Sequence, residues 1–162
     1  AGQCDDQLDD GEYAWRKWGY TGPTNEDLVW ITPGIYSFVF DYPDIASAEA
    51  RIEQASTDYR PRTEGTFDVA PVPNGERYTP GYRGEGTVTA LTIGGWTGLE
   101  GRSTYVMTSP EGRESLLYGH DFVAIRNGRF VIICDATDLG VKPDVDVCVE
   151  MANGIVQKLA QE

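Results

Sequence analysis

A chain of 162 residues is the size of one ordinary domain. It can bury roughly 70% of the surface its unfolded form exposes, so it needs no metal or disulfide to make a core. With 26 Asp+Glu against 13 Lys+Arg, a formal −13, it is a poor match for nucleic-acid phosphates or an anionic membrane. The single histidine, His120, excludes any multi-histidine metal site, and no apolar run is long enough to span a bilayer.

The acidity is local. Residues 1–12 carry Asp5, Asp6, Asp9, Asp10 and Glu12 and no base, and residues 135–150 carry Asp135, Asp138, Asp144, Asp146 and Glu150 against Lys142. The body, 13–134, holds 15 acids and 11 bases. This reads as solvated charge that maintains solubility. A calcium loop is the sharper alternative, but the spacing 135, 138, 144, 146 lacks alternating acids around a central Gly with a closing Glu. Beginning at Ala1-Gly2-Gln3, the chain reads as a processed or trimmed product. Cys4 sits where a lipoprotein anchor would, but Gln3 precedes it where a small residue is wanted.

In chain order, residues 1–34 read as an acidic arm followed by an irregular aromatic segment (Trp15, Trp18, Tyr20, Trp30), with a short strand near 28–31. Residues 35–162 read as a single α+β domain. Ile35–Phe40 is a predicted strand, rich in aromatic and β-branched residues. Asp44 is placed to cap a helix over 45–59, whose Ile45, Ala48, Ile52, Ala55 and Tyr59 recur at helical spacing before Pro61. A short strand follows at 66–69. Pro71, Pro73, Asn74-Gly75 and Pro80-Gly81 mark 70–86 as a long loop bearing Tyr78 and Tyr82.

The pattern then turns to β. Strands are predicted at 87–93 and 102–107, separated by a glycine-rich turn, and at 114–126, interrupted near Gly119. Asn127-Gly128 predicts a type I′ hairpin into the apolar strand 129–133. A last helix runs from about Asp144, with Val145, Val149, Ala152, Val156 and Leu159 on one stripe and Gly154 implying close packing or a bend. The sum is a mostly antiparallel sheet of five to six strands with two main helices packed on one face.

No nucleophile elbow, P-loop, zincin or dinucleotide motif is present, so no catalytic residue, metal or cofactor is assigned. A hydrolase would need His120 as its base, and Asp121 beside it on a strand points to the other face. Cys134 closes an apolar strand and Cys148 lies in the first turn of the last helix, where a thiol pKa can be lowered. A Cys134–Cys148 bond is the favoured expectation and implies export; two buried free thiols are the alternative. Aromatic residues carry the binding signal, since Trp and Tyr suit surfaces with one apolar and one wet side. Tyr78, Tyr82 and Trp96, with Arg102 and His120, form the candidate ligand-binding set.

Thr87–Ile93, Tyr105, "GHDFVAIRNGRFVIICD" and "VDVCVEMANGIVQKLAQ", together with Tyr36–Phe40 and "DIASAEARIEQASTDY", resemble a known family. It is the extracytoplasmic sensor domain of mycobacterial membrane-bound Ser/Thr kinases and of many actinobacterial lipoproteins. The resemblance covers roughly 35–160. That family commonly has Trp and, three residues later, Cys at the end of the first helix; Tyr59 and Arg62 stand there. The resemblance implies that one of two family disulfides is absent, with Cys134–Cys148 the other. It also implies a ligand-sensing or partner-binding role outside the membrane, with a cleft beside the sheet, and it supplies no catalytic residues; the expectation is a non-enzymatic domain that binds a small molecule or cell-envelope component. Two alternatives stand beside it: a protein-interaction or inhibitor-like module using the acidic surface, and a secreted hydrolase using His120.

Overall fold

The computed structural model describes residues 3–9, 13–19, 34–74, 77–115, 117–139 and 147–161. Strands β1 (Gln3–Asp9) and β2 (Tyr13–Gly19) pair antiparallel, with Gln3 opposite Gly19. The segment predicted as irregular is thus a strand over 13–19, while Tyr20, Trp30 and the strand expected at 28–31 lie outside the described residues.

β3 (Gly34–Asp41) leads into α1 (Ile45–Tyr59), whose first turn is capped as the sequence predicts: Ser47 N–H donates to Asp44 Oδ1 at 2.7 Å. A 3-10 turn at Arg60–Arg62 leads to β4 (Gly65–Val69). The span read as a long loop instead holds a small hairpin, β5 (Val72–Asn74) with β6 (Arg77–Thr79), and the start of β7 (Gly81–Ile93). β8 (Trp96–Thr108), β9 (Tyr118–Asn127) and β10 (Phe130–Leu139) continue an antiparallel meander, and α2 (Val147–Leu159) closes the chain. Strand β9 runs unbroken through Gly119, which pairs with Thr104.

The main sheet has six strands in the order β3-β10-β9-β8-β7-β4, every neighbour antiparallel. The α+β class holds. The helices, however, lie on opposite faces rather than on one. On β9 and β10, Val123, Ile125, Ile132 and Cys134 pack with Cys148, Ala152 and Val156 of α2. The alternating Ala124, Val131 and Ile133 pack with Ala48 and Ala55 of α1. Side chains alternate faces along a strand, so one helix covers each side. That is why β9 is buried at eight consecutive positions from Tyr118 to Ile125.

The hairpin turns refine the sequence reading. Between β7 and β8, Gly94 and Gly95 both hold positive φ (53° and 84°), and Ile93 faces Trp96, the pattern of a type I′ loop. Between β9 and β10 the pair is Gly128-Arg129, not Asn127-Gly128. Asn127 faces Phe130 and only Gly128 (φ 56°) is left-handed, which suits a II′ turn.

The Cys134–Cys148 disulfide is not formed. Both cysteines are buried and free, side by side but beyond bonding distance. Cys148 Sγ is turned to the carbonyl oxygen of Asp121 at 3.4 Å, and Cys134 Sγ lies 3.8 Å from Met151 Sδ. Both thiols fill the seam between α2 and the sheet as small apolar groups. Two buried free thiols, unlike a disulfide, give no indication of an oxidising compartment.

Asp121 fixes the approach of α2. Its carboxylate, buried on the α2 face of β9, accepts from Cys148 N–H at 2.9 Å and so caps the helix from across the seam. Burial holds its pKa above the ordinary carboxylate range, opposed by the Cys148 N–H and by Arg102. A raised folded pKa means the ionised form is penalised in the native state. Stability attributable to this group therefore falls as pH rises from the unfolded value near 4 through the folded one. Asp121→Asn keeps an acceptor and sheds the charge. The variant should be more stable than the parent at pH 7, with the advantage gone below pH 4. Asp121→Ala should lose about 1–2 kcal/mol with the cap. Urea titrations at the two pH values check both, and an Asn variant weaker than the parent at pH 7 sinks the argument.

Candidate functional site

The sheet separates the five residues of the sequence-derived ligand set. Tyr82 and His120 lie on the α1 face. Tyr82 meets Tyr105 edge-on at 5.6 Å, Tyr105 stacks on Tyr118 at 5.5 Å, and His120 follows two residues along β9. Trp96 and Arg102 lie on the α2 face. Trp96 is 6% exposed and belongs to the core against α2. Arg102 faces Asp121 across the β8–β9 pair and stands 3.9 Å from Glu100. Tyr78 is in β6, opposite Pro73, and its side chain is outside the described residues.

On the α1 face the structure assembles a constellation that the sequence spacing did not suggest. His120 Nε2 lies 3.4 Å from Asp135 Oδ2 on β10, and the Tyr59 hydroxyl donates to the same oxygen at 2.7 Å. Ser103 stands directly opposite His120 on β8. Ser103, His120 and Asp135 thus share one face, the residue types of a hydrolytic triad. The geometry does not serve that chemistry. His120 and Ser103 are 6% and 3% exposed, and Ser103 Oγ has no hydrogen-bond partner among the described residues. The Tyr59 ring lies over Phe122 at 4.3 Å and beside His120 at 5.7 Å, sealing the cluster under the end of α1. A nucleophile needs room for a substrate carbonyl and donors for its oxyanion, and this cluster is packed as a buried polar knot. Cys148 is no nucleophile either: burial pushes its thiol pKa up, reinforced by Cys134.

The concave surface lies at the tip of the β7–β8 and β9–β10 hairpins. A groove of about 1370 Å³ runs between the start of α1 and the end of α2, walled by Ile45, Trp96, Phe130, Val156 and Leu159. Ile45, Phe130 and Leu159 are 54%, 39% and 39% exposed, unusual for large apolar side chains brought around one concavity. The charged groups on its rim are already engaged: Arg129 pairs with Asp41 at 2.8 Å, and Asp44 caps α1. The groove therefore presents apolar surface and no unpaired charge among these groups. Of the described side chains of the sequence-derived set, only Trp96 lines it. Ile45, Phe130 and Leu159 were missed. A detectable signal was present, since each is a large apolar residue at the very end of an element where a core partner is least available.

A shallow depression of about 470 Å³ lies on the α2 face where β4 begins, lined by Thr66, Glu85, Thr87, Arg102 and Thr104 over Gly86. Among the described residues no group of three or more His, Cys, Asp or Glu is placed to hold a metal, and no helix is long and apolar enough to cross a membrane. Residues 140–146 of the acidic loop considered for calcium lie outside the described residues. A scan against protein-family models finds no match, and neither does a search of the curated proteins.

Proposed function

We propose that this chain is a non-enzymatic, extracytoplasmic ligand-binding domain, and that its ligand presents an apolar chain to the groove at the hairpin tips. The observation that carries the reading is the convergence of Ile45, Phe130 and Leu159, all partly exposed, on one groove floored by Trp96 and Val156. Exposed apolar area in a concave site is what a hydrophobic ligand removes from water. The placement outside the membrane rests on the resemblance to the sensor-domain family. The hydrolase reading is disfavoured by the sealed position of His120.

The test uses a neutral apolar dye, N-phenyl-naphthylamine, titrated into the full chain. Its fluorescence should rise saturably. Phe130→Asp should weaken binding by roughly 10-fold or more, the equivalent of losing the burial of one large side chain, and Leu159→Asp, on α2 and likewise 39% exposed, should weaken it without placing a carboxylate opposite Asp41 as Phe130→Asp does. Equal dye binding by the parent, Phe130→Asp and Leu159→Asp would remove the groove as the site.

A further inference from the structure

Strand β7 is paired on one side along its whole length but on the other along only part. β8 accompanies it from Gly81↔Thr108 to Ile93↔Trp96, whereas β4 accompanies it only from Val69↔Tyr82 to Gly65↔Gly86. From Thr87 to Ile93 it is a sheet edge among the described residues. The two-residue loop Gly94-Gly95 closes on a hydrogen-bonded pair, so Ile93, Leu91, Thr89 and Thr87 turn their backbone groups toward β8. Val88, Ala90 and Thr92 turn theirs outward, and no backbone bond outside the β7–β8 ladder is recorded for them among the described residues.

Edges of this kind are normally protected by Lys, Pro, a bulge or a short length. Thr87-Val88-Thr89-Ala90-Leu91-Thr92-Ile93 has no charge and no proline, and its register against β8 runs without a bulge. Thr87, Thr89, Ala90 and Thr92 are exposed. Seven residues make an open ladder of roughly 24 Å. The shallow depression beside Thr66 lies at its Thr87 end, in line with β4, and holds Glu85. Glu85 is exposed and forms no ion pair among the described residues, while Arg102 beside it has Glu100 at 3.9 Å.

We propose that the open edge of β7, Thr87–Ile93, receives an extended peptide of a partner protein as an added strand, with a basic side chain of that peptide against Glu85. Main-chain hydrogen bonds supply affinity in such strand addition, and the flanking depression supplies selectivity. Charge selects the occupant. The same edge of a second copy, uncharged over Thr87–Ile93, brings no base to Glu85, whereas a basic peptide is attracted to it. This inference is independent of the apolar groove, because its readout is the β7 backbone.

The experiment follows amide hydrogen exchange by NMR on the full chain, with an acetylated, amidated heptapeptide Thr-Val-Thr-Val-Thr-Val-Lys as probe, whose lysine falls opposite Thr87, beside Glu85, when it adds antiparallel to β7. At saturating peptide the Val88, Ala90 and Thr92 amides should slow by about 10-fold or more. The same peptide N-methylated at every second residue should protect nothing. Glu85→Gln should weaken binding several-fold, and Ala90→Lys should abolish it while leaving the melting temperature of the free protein unchanged. Three outcomes overturn the proposal: no change at these amides, protection already complete in the free monomer, or protection that tracks protein rather than peptide concentration. The last assigns the edge to a second copy of the chain.

Discussion

Tyr59→Ala should lower the unfolding free energy by about 3 kcal/mol, within the range for removing a large aromatic side chain, and the melting temperature by roughly 6–12 °C in a chain of this length. Tyr59 ties the last turn of α1 to the sheet in two ways. Its ring lies nearly parallel to Phe122 at 4.3 Å, and its hydroxyl donates to Asp135 at 2.7 Å. Tyr59→Phe keeps the ring and should cost only about 1 kcal/mol, the net value of one hydrogen bond. Denaturant unfolding of the two variants separates the contributions. If they lose the same amount, the hydroxyl rather than the stack holds α1 in place, and the account of the aromatic seal is wrong.

Gly101→Ala attacks the same stack from below and should cost about 2–3 kcal/mol through overpacking. An added Cβ would lie 2.0 Å from Cε1 of Phe122, which faces Gly101 across the β8–β9 pair. Phe122 cannot swing away, because the Tyr59 ring lies over it. Gly154 makes the opposite case. It sits in α2 with open space where its Cβ would be, so neither the close packing nor the bend read from the sequence is needed, and Gly154→Ala should gain up to about 1 kcal/mol. One urea series on both variants checks the contrast. A Gly101→Ala variant as stable as the parent would mean that Phe122 has a second rotamer available.

The local elements were legible because their signals are local. The helix over 45–59 follows from one capping Asp and apolar residues at helical spacing, and β3 and β4 from short β-branched and aromatic runs. Over 70–86, Pro and Gly read as breakers in the sequence, yet in the fold Pro73, Gly81 and Gly84 sit within paired strands. Gly84 sits inside β7 for another reason: a Cβ there would meet the Thr104 carbonyl oxygen at 2.2 Å, so the strand needs a residue without one. Helix placement was also recoverable. Phe122–Ile125 and Val131–Cys134 are continuous apolar runs rather than alternating ones, the mark of strands buried on both faces.

The candidate site was harder to read, because face assignment depends on register. β8 and β9 pair as Tyr105↔Tyr118, so even-numbered residues of one share a face with odd-numbered residues of the other. Arg102 and His120 therefore part company although both are even. The free cysteines illustrate the same limit. Spacing alone brings Cys134 and Cys148 near each other, but the bond from Cys148 N–H to Asp121 decides how the helix is set against the strand.

The strand order β3-β10-β9-β8-β7-β4 also bears on how the chain reaches this state. Residues 81–139 form four consecutive strands, each pairing with its sequence neighbour, and such local ladders close small loops quickly. The remaining strands of the sheet are its two borders, both drawn from the N-terminal half, with α1 and the 3-10 turn linking one to the other. Pairing β3 with β10 joins segments about ninety residues apart in sequence, so the largest loop-closure entropy in the main sheet falls on this single event. The slow step of folding is expected at that border, and variants there should change the folding rate more than variants at the Gly94-Gly95 turn.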